Sequence, residues 1–452
     1  MAGLDFLTEV GKQGMLLSQF GLQITGKNIS NVQTRGYSRQ RLDVNPVLPE
    51  ILAGFSLGSA INGDTLRRIR EDFVDRQYWG QSSLRSQYTS EETLLRQIEG
   101  VLPSSNETGL GAMLDEFWSA WNSLANDPES SVARTIVRDR AQTLTLSFNR
   151  AYRELVSFQA SVREEVNTRV EEINDLAAQL AELNRINPGD NPDLEDQRDR
   201  LIDRLSELAN IEVQRDGNSV SVYISGLTLV SGRTAYELAV GETQGDGGVD
   251  QITTVIAGTD REINVRSGEL GALLTVHNVD IPYLLDRLDT LALALVEEVN
   301  AIHRTGYNLD GVTGLDFFTE ATEGAASIAV NNVIVANVDL IASSDAPGES
   351  GNGNTAKAIA DLVDLEVIGN QTIGEYFRSL IGTLGNRIQE VGFLKSNHDK
   401  IVEHLDMQRQ SVSGVSMEEE MTRMVQLEQA FTAASRLVAT ADELTRTLLE
   451  LI

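Results

Sequence analysis

The side chains able to do acid–base, nucleophilic or metal chemistry are few and wrongly spaced for it. The four histidines are His277, His303, His398 and His404. None falls in H-E-x-x-H, the spacing that puts two imidazoles on one helix face to share a zinc ion. His398 and His404 are six positions apart and so point to different faces of a helix. Structural histidines, solvated or half-buried, are the reading these spacings support. Cysteine is absent, which removes disulfides, thiolate ligands and thiol nucleophiles. Asn308-Leu309-Asp310-Gly311 invites a calcium-loop reading. With Gly311 at the sixth loop position, however, Gly306 and Phe317 fall on the first and twelfth, and neither can ligate. A turn is expected there instead. Gly351-Asn352-Gly353-Asn354 lacks the lysine and the preceding strand of a phosphate cradle, and no G-x-S-x-G elbow occurs. Carboxylate pairs abound, and in an acidic helical chain they read as solvated faces. No catalytic, metal-ligating or cofactor-binding residue is therefore expected, and no enzyme.

Charge narrows the partners. The chain has 452 residues, 37 Lys plus Arg, 67 Asp plus Glu and a net charge of −30. Duplex affinity is mostly phosphate neutralisation by cations, so nucleic acid is excluded as a main partner. A polybasic grip on anionic lipid is disfavoured for the same reason. Apolar content of 41% supports a packed core. No apolar run approaches the ~18 residues of a membrane span, so no membrane insertion is expected. The N-terminus opens with Asp5 and Glu9 rather than a basic cluster, and no cleaved secretion leader is expected.

Periodicity gives the elements. Phe6, Val10, Leu17, Phe20 and Ile24 form one helical stripe. A longer one runs Met424, Leu427, Phe431, Ala434, Val438, Ala441, Thr445, Leu448 and Ile452 in alternating steps of three and four. Ser416 is the expected N-cap of that last helix, with Glu418, Glu419 and Glu420 in the first turn, where the helix dipole favours negative charge. Between these ends a stripe from Leu144 to Leu183 predicts a helix of about 60 Å, stopped by Asn187-Pro188-Gly189-Asp190. Further helices are expected near 72–100, 110–125, 194–208, 270–302 (kinked or split at Pro282) and 373–408. Strict alternation at Val220, Val222 and Ile224 after Asp216-Gly217 signals a hairpin. Residues 210–266 read as all-β, 325–342 as a small strand-rich piece, and 343–355 as an exposed loop.

The plan is nested. The fold class is α+β and elongated: long helical segments from both termini enclose a small all-β domain. The expected domains are 1–40 with 410–452, the terminal amphipathic helices; 41–209 with 267–320 and 343–409, a helical bundle; and 210–266 with 321–342, an outer β domain. Residues 1–41 carry five cations against two carboxylates, and 410–452 carry three against seven. Opposite charge favours pairing of the two ends, with the apolar seams doing most of the holding. Gly11, Gly14, Gly21 and Gly26 weaken the first helix by up to ~1 kcal/mol each and leave a small-residue face for a second helix. Such a helix is marginal alone. The end segments are expected to be mobile in a monomer and to order when neighbours bury Phe6, Phe20, Met424, Phe431, Val438 and Leu448.

One segment carries a resemblance. Asn28-Ile29-Ser30-Asn31-Val32-Gln33-Thr34-Arg35-Gly36-Tyr37-Ser38-Arg39-Gln40 closely resembles the N-terminal signature of flagellar rod, hook and hook-associated axial proteins. Asp127-Pro128 through Arg134, Leu194 through Leu201, Ser267 through Leu274, Gly306 through Gly311 with Asp316-Phe317-Phe318, and Ser411 through Ser416 look like the same family. The resemblance implies a structural subunit of the bacterial flagellum, forming the junction between hook and filament and required for filament assembly. It implies type III export, an extracellular location and self-assembly in a helical array. The implied partners are the hook protein, the second junction protein of that zone and an export chaperone, with no cofactor. The implied assembly residues are Phe6, Val10, Leu17, Phe20, Ile24, Asn28, Asn31, Gly36, Tyr37, Met424, Leu427, Phe431, Val438 and Leu448. The implied chaperone contacts are Met417, Met421, Met424, Phe431 and Val438. Larger family members carry a further β domain after the position of Phe318; only about 25 residues stand there here, so that domain looks absent. The alternatives are another axial subunit (hook, rod or flagellin-like), a secreted adhesin showing residues 210–266, or a metal-dependent hydrolase.

Overall fold

Two helices, one from each end of the chain, lie against each other and stand on a helical bundle. The computed structural model describes residues 2–34, 36–46, 51–52, 55–56, 61–102, 109–186, 191–217, 219–244, 250–259, 261–319, 321 and 324–450. The chain begins with α1 (Ala2–Ser30), then short strands β1 (Gln40–Pro46), β2 (Ile51–Leu52), β3 (Phe55–Ser56) and β4 (Ile61–Arg68). Helices α2 (Asp72–Val101), α3 (Leu110–Asn126), α4 (Ser131–Ile186) and α5 (Pro192–Leu208) follow. Strands β5 (Ile211–Asp216), β6 (Ser219–Ile224), β7 (Leu227–Ser231) and β8 (Thr234–Ala235) form one antiparallel sheet in sequence order. Strands β9 (Leu238–Gln244), β10 (Asp250–Ile256) and β11 (Glu262–Ile263) form a second. The chain then returns through α6 (Gly268–Thr275), α7 (Ile281–His303), α8 (Asn332–Ala336), α9 (Asn354–Ala360), β12 (Glu366–Ile368), β13 (Gln371–Thr372), α10 (Ile373–Ser413) and α11 (Met417–Glu450). This is the nested α+β plan that the periodicity predicts.

The backbone of the fold is α4. Its 56 residues reach about 84 Å at 1.5 Å per residue. Leu144, Phe148, Leu155, Val166, Ile173 and Leu180 are fully buried along it, so the apolar stripe is the core face. It starts thirteen residues before Leu144, because its first turns continue the stripe with small residues, Ala133, Val137 and Ala141. Two asparagines dock the sheets on this helix. Asn184 donates Nδ2–H to the carbonyls of Val220 and Gly232 and accepts the Val220 N–H. Asn174 does the same for Leu238, donating to its carbonyl and accepting its N–H. Each side chain thereby supplies hydrogen bonds a neighbouring strand would make, Asn174 at the edge strand β9 and Asn184 at the start of β6.

Four local expectations need correction or completion. Residues 41–68, assigned to the helical bundle, contain the β1–β4 hairpin. The strand-rich piece at 325–342 consists of 3₁₀ turns at Gly324–Ala326 and Val338–Leu340 flanking α8, with one isolated bridge, Phe318 to Val330. It packs on α4 and α7 rather than on the sheets, since its apolar residues, Ala325, Ile328 and Ile334, are spaced to cover helices. The 270–302 element is split just before Pro282, as expected, into α6 and α7. Pro282 sits in the first turn of α7, where a missing N–H costs nothing, and a π-helical segment, Val276–Asp280, absorbs the irregularity just before it. The 343–355 loop is exposed in its middle but pinned at its ends by the buried Ser343, Ser344 and Thr355. The stop at 187–190 and the glycine turn at 245–248 lie outside the described residues.

Candidate assembly interface and its clasp

The α1 and α11 helices run antiparallel. Gly11 faces Val438, Gly14 faces Ala434, Gly21 faces Leu427 and Asn28 faces Glu420, so positions descend on one helix as they rise on the other. From Gly14 the contacts repeat every seven residues on both helices, the step of an antiparallel coiled seam. The glycines let the backbones approach. A Cβ on Gly21 would lie 2.8 Å from Leu427 Cδ2, and one on Gly14 3.3 Å from Ala434 Cβ. Gly26 has nothing within 4 Å.

This arrangement divides the expected interface residues. Phe6, Leu17, Ile24, Met424, Leu427, Phe431 and Val438 are half-buried, and Ala441 is 1% exposed. Val10 and Phe20 on α1, and Met417, Met421 and Leu448 on α11, are exposed, together with Leu16, Val425, Leu444 and Leu449. The stripe read as one seam is thus an inner contact plus an outer apolar ridge on each helix. Leu448 belongs to the ridge, because the partner helix is already ending there; Ile452 lies outside the described residues.

Where α1 ends, the signature segment folds back into a clasp. Asn28 is 1% exposed, and its amide is fully used. Nδ2 donates to Gln40 O and Glu420 Oε2, both at 3.0 Å. Oδ1 accepts from Tyr37 Oη at 2.8 Å and from Gln40 N at 3.0 Å. Arg39 bonds Glu420 at 2.7 Å and Glu419 at 2.6 Å, and its N–H reaches Ser413 O at 2.8 Å. Gly36 has φ +78° and lies against the Arg200 side chain, so both its backbone and the space above it suit only glycine. Burial, then the nearby Asp193, Asp196 and Glu420, push the Tyr37 hydroxyl well above its usual pKa, so it stays a donor. Asn31 does not join the clasp. Its amide bonds Lys27 O and Thr34 Oγ1 and finishes its own helix.

Beneath the clasp lies a hub of ion pairs that ties stem to bundle. Lys27 and Gln40 reach Asp193, and the Ser38 N–H reaches Asp196. Arg68 holds Glu195, Asp196 and Asp199; Arg70 holds Asp75 and Asp199; Arg409 holds Asp75 and Asp203 and lies 4.2 Å from the Tyr78 ring centre. Burial alone would raise the Asp199 pKa, but Arg70, Arg215 and Arg68 outweigh it and hold the carboxyl far below the usual range. For Asp203 burial wins over Arg409 and Arg70, and its pKa rises. The expectation that carboxylate pairs are solvated faces does not hold at this hub, where Asp196 and Asp199 are buried. The missed signal is spacing: Asp196, Asp199 and Asp203 fall on one face of α5.

Three of the four histidines have structural partners. His303 is 1% exposed, with Nδ1 on Leu315 O and Nε2 accepting from Ala342 N. His398 stacks on Tyr88, and His277 pairs with Asn278. Asn308 Oδ1 accepts from Asp310 N and Val312 N, which makes the predicted turn. Among the described residues no group of three or more His, Cys, Asp or Glu could hold a metal ion, and no helix is long and apolar enough to cross a membrane.

An α+β chain whose two ends pair into a stem on a helical bundle is similar to flagellar proteins. Residues 408–451 match the family model described as flagellar basal body rod FlgEFG protein C-terminal, which places the chain among flagellar axial proteins. Residues 95–318 match the one described as flagellar hook-associated protein FlgK helical domain. The chain is 31% identical to flagellar hook-associated protein 1 of Bacillus subtilis (strain 168), over 96% of each chain. It is 24% identical to that of Salmonella typhimurium, over 97% of this chain and 98% of the relative. The chain belongs to the flagellar hook-associated protein 1 family, a family of structural proteins. The solved structure of the flagellar hook junction protein FlgK from Burkholderia pseudomallei shares the fold, with a TM-score of 0.67 at 16% identity over 75% of this chain and 100% of that one.

Proposed function

We propose that this chain is a structural subunit of the bacterial flagellum that forms the hook–filament junction, is required for filament assembly, and has no enzymatic activity. The observation that carries the reading is full-length similarity to proteins of that name, joined to an apolar outer ridge on a stem made of both chain ends. Residues 1–40 with 410–452 are the axial core, 210–266 the outer β domain, and the helices between them the bundle. Val10, Phe20 and Leu448 meet neighbouring copies in a helical array. Phe6, Leu17, Ile24, Met424, Leu427, Phe431 and Val438 hold the pair that presents them. Asn28, Gly36 and Tyr37 set its angle. The hook protein lies on one side and the second junction protein on the other.

Among the described residues α1 packs mainly on α11 and β1, and α11 mainly on α1. In this reading the end segments are mobile in the dilute subunit and order as neighbours cover the ridge. The subunit leaves the cell by type III export. Before export a chaperone covers Met417, Met421, Met424, Phe431 and Val438, since an exposed apolar stripe invites aggregation. Deletion is the test. Hooks without filaments, and filament protein shed into the medium, are expected; normal filaments would refute the role. Full protease protection of both ends in the dilute subunit would refute the coupled ordering.

A further inference from the structure

The base of the β1–β4 hairpin carries more arginine than its own fold uses. Arg39, Arg68 and Arg70 are each bonded to carboxylates of the clasp and hub. Arg41 and Arg67 are not. They are direct cross-strand partners in the antiparallel register, and both are exposed. Among the described residues no carboxylate pairs with either. Like charges directly opposite each other on a sheet are destabilising. The subunit therefore keeps, at a cost to itself, two adjacent guanidiniums facing outward on a chain of net charge −30.

We infer that the Arg41–Arg67 pair is a docking site for carboxylates on α11 of a second copy of this chain. The inference rests on the array reading above. Copies at −30 each repel one another, so side-by-side packing needs a place where the sign is reversed. The outer surface of α11 supplies the complement: Glu418, Glu428, Asp442 and Glu443 are exposed and have no ion-pair partner among the described residues. Two guanidiniums side by side can each take a carboxylate through paired N–H donors, which fixes orientation as well as contact. With a screening length of about 8 Å at physiological ionic strength, the pair acts only when the copies touch. It then sets the angular register of neighbouring stems, for which apolar ridges alone have little selectivity.

The test uses cells in which the variant is the sole copy of this protein. The double variant Arg41→Lys with Arg67→Lys keeps the charge and supplies amines for zero-length carbodiimide coupling. Coupling of isolated hook–filament junctions is expected to give a covalent dimer, with an introduced lysine joined to a carboxylate of α11. Arg41→Gln with Arg67→Gln is expected to lack that dimer, to shed filaments under shear, and to melt no lower than the wild type. No dimer, a linkage outside α11, or a linkage to the hook protein overturns the proposal. So does unchanged filament retention in the glutamine variant. If the wild-type copy itself fails to restore filaments to a deletion strain, it is the junction reading that falls.

Discussion

A β-carbon on Gly11 would stand 2.5 Å from Val438 Cγ2 and 3.2 Å from the Ala434 carbonyl oxygen. The close approach of α1 and α11 therefore depends on hydrogen at that position. Gly11 and Gly26 consequently respond oppositely to alanine. Gly26→Ala meets open space and should stabilise α1 by up to about 1 kcal/mol through helix propensity. Gly11→Ala gains the same propensity but overpacks the seam, for a net loss of about 1–2 kcal/mol. Hydrogen exchange of α1 amides should slow in the first variant and quicken in the second. Equal responses would show that the two helices do not pair this way.

Asn28→Ala strips partners from the Gln40 backbone, Tyr37 Oη and Glu420 Oε2 inside a closed clasp. Each buried polar group left alone costs about 1–3 kcal/mol, with some relief from entering water. A loss of about 2–4 kcal/mol in the local opening of residues 37–40 is expected, read as faster amide exchange there, while α4 amides are unaffected. Tyr37→Phe removes one donor and should cost about 1 kcal/mol.

The Asp199 carboxyl is held low by Arg68, Arg70 and Arg215. Its folded pKa lies below its unfolded value, so its stabilisation is complete above the ordinary carboxylate range and is lost as pH falls through it. Asp199→Asn leaves three cations short of a partner and should cost about 3–5 kcal/mol at pH 7. It should cost much less at pH 2. Urea unfolding at the two pH values measures the difference, and a pH-independent loss would assign the residue to packing alone.

Much of this fold is legible from periodicity because its helices are long. The stripe from Phe148 to Leu180 repeats often enough that burial is its sole sensible use. The piece at 325–342 was misread because five-residue helices and 3₁₀ turns carry too few periods to separate from strands. The pairing of the ends was readable from charge and glycine spacing; which apolar residues face inward was not, since a helix with two apolar ridges gives one blended stripe. The hub was invisible for a different reason. Arg68 with Asp75, Asp199 and Arg409 come from three distant segments, and no local pattern distinguishes a buried carboxylate from a solvated one.

His303 gives the last prediction, because its tautomer is fixed from both sides. Nδ1–H donates to Leu315 O, and the unprotonated Nε2 accepts the Ala342 N–H at 2.9 Å. Burial pushes its pKa down to about 4, with Arg134 adding to the depression and the Leu315 carbonyl and Asp316 opposing it. The folded state thus binds fewer protons than the unfolded state between pH 4 and the ordinary histidine value. Its contribution is complete above that value and drains away as pH falls toward 4, amounting to about 3 kcal/mol over the window. The imidazole resonances of His303 should stay unshifted from pH 7 to 5. His303→Gln should be less stable at pH 7, yet should lose less stability than the wild type between pH 6.5 and 4. If both chains lose stability in parallel across that interval, the acid response belongs to other groups.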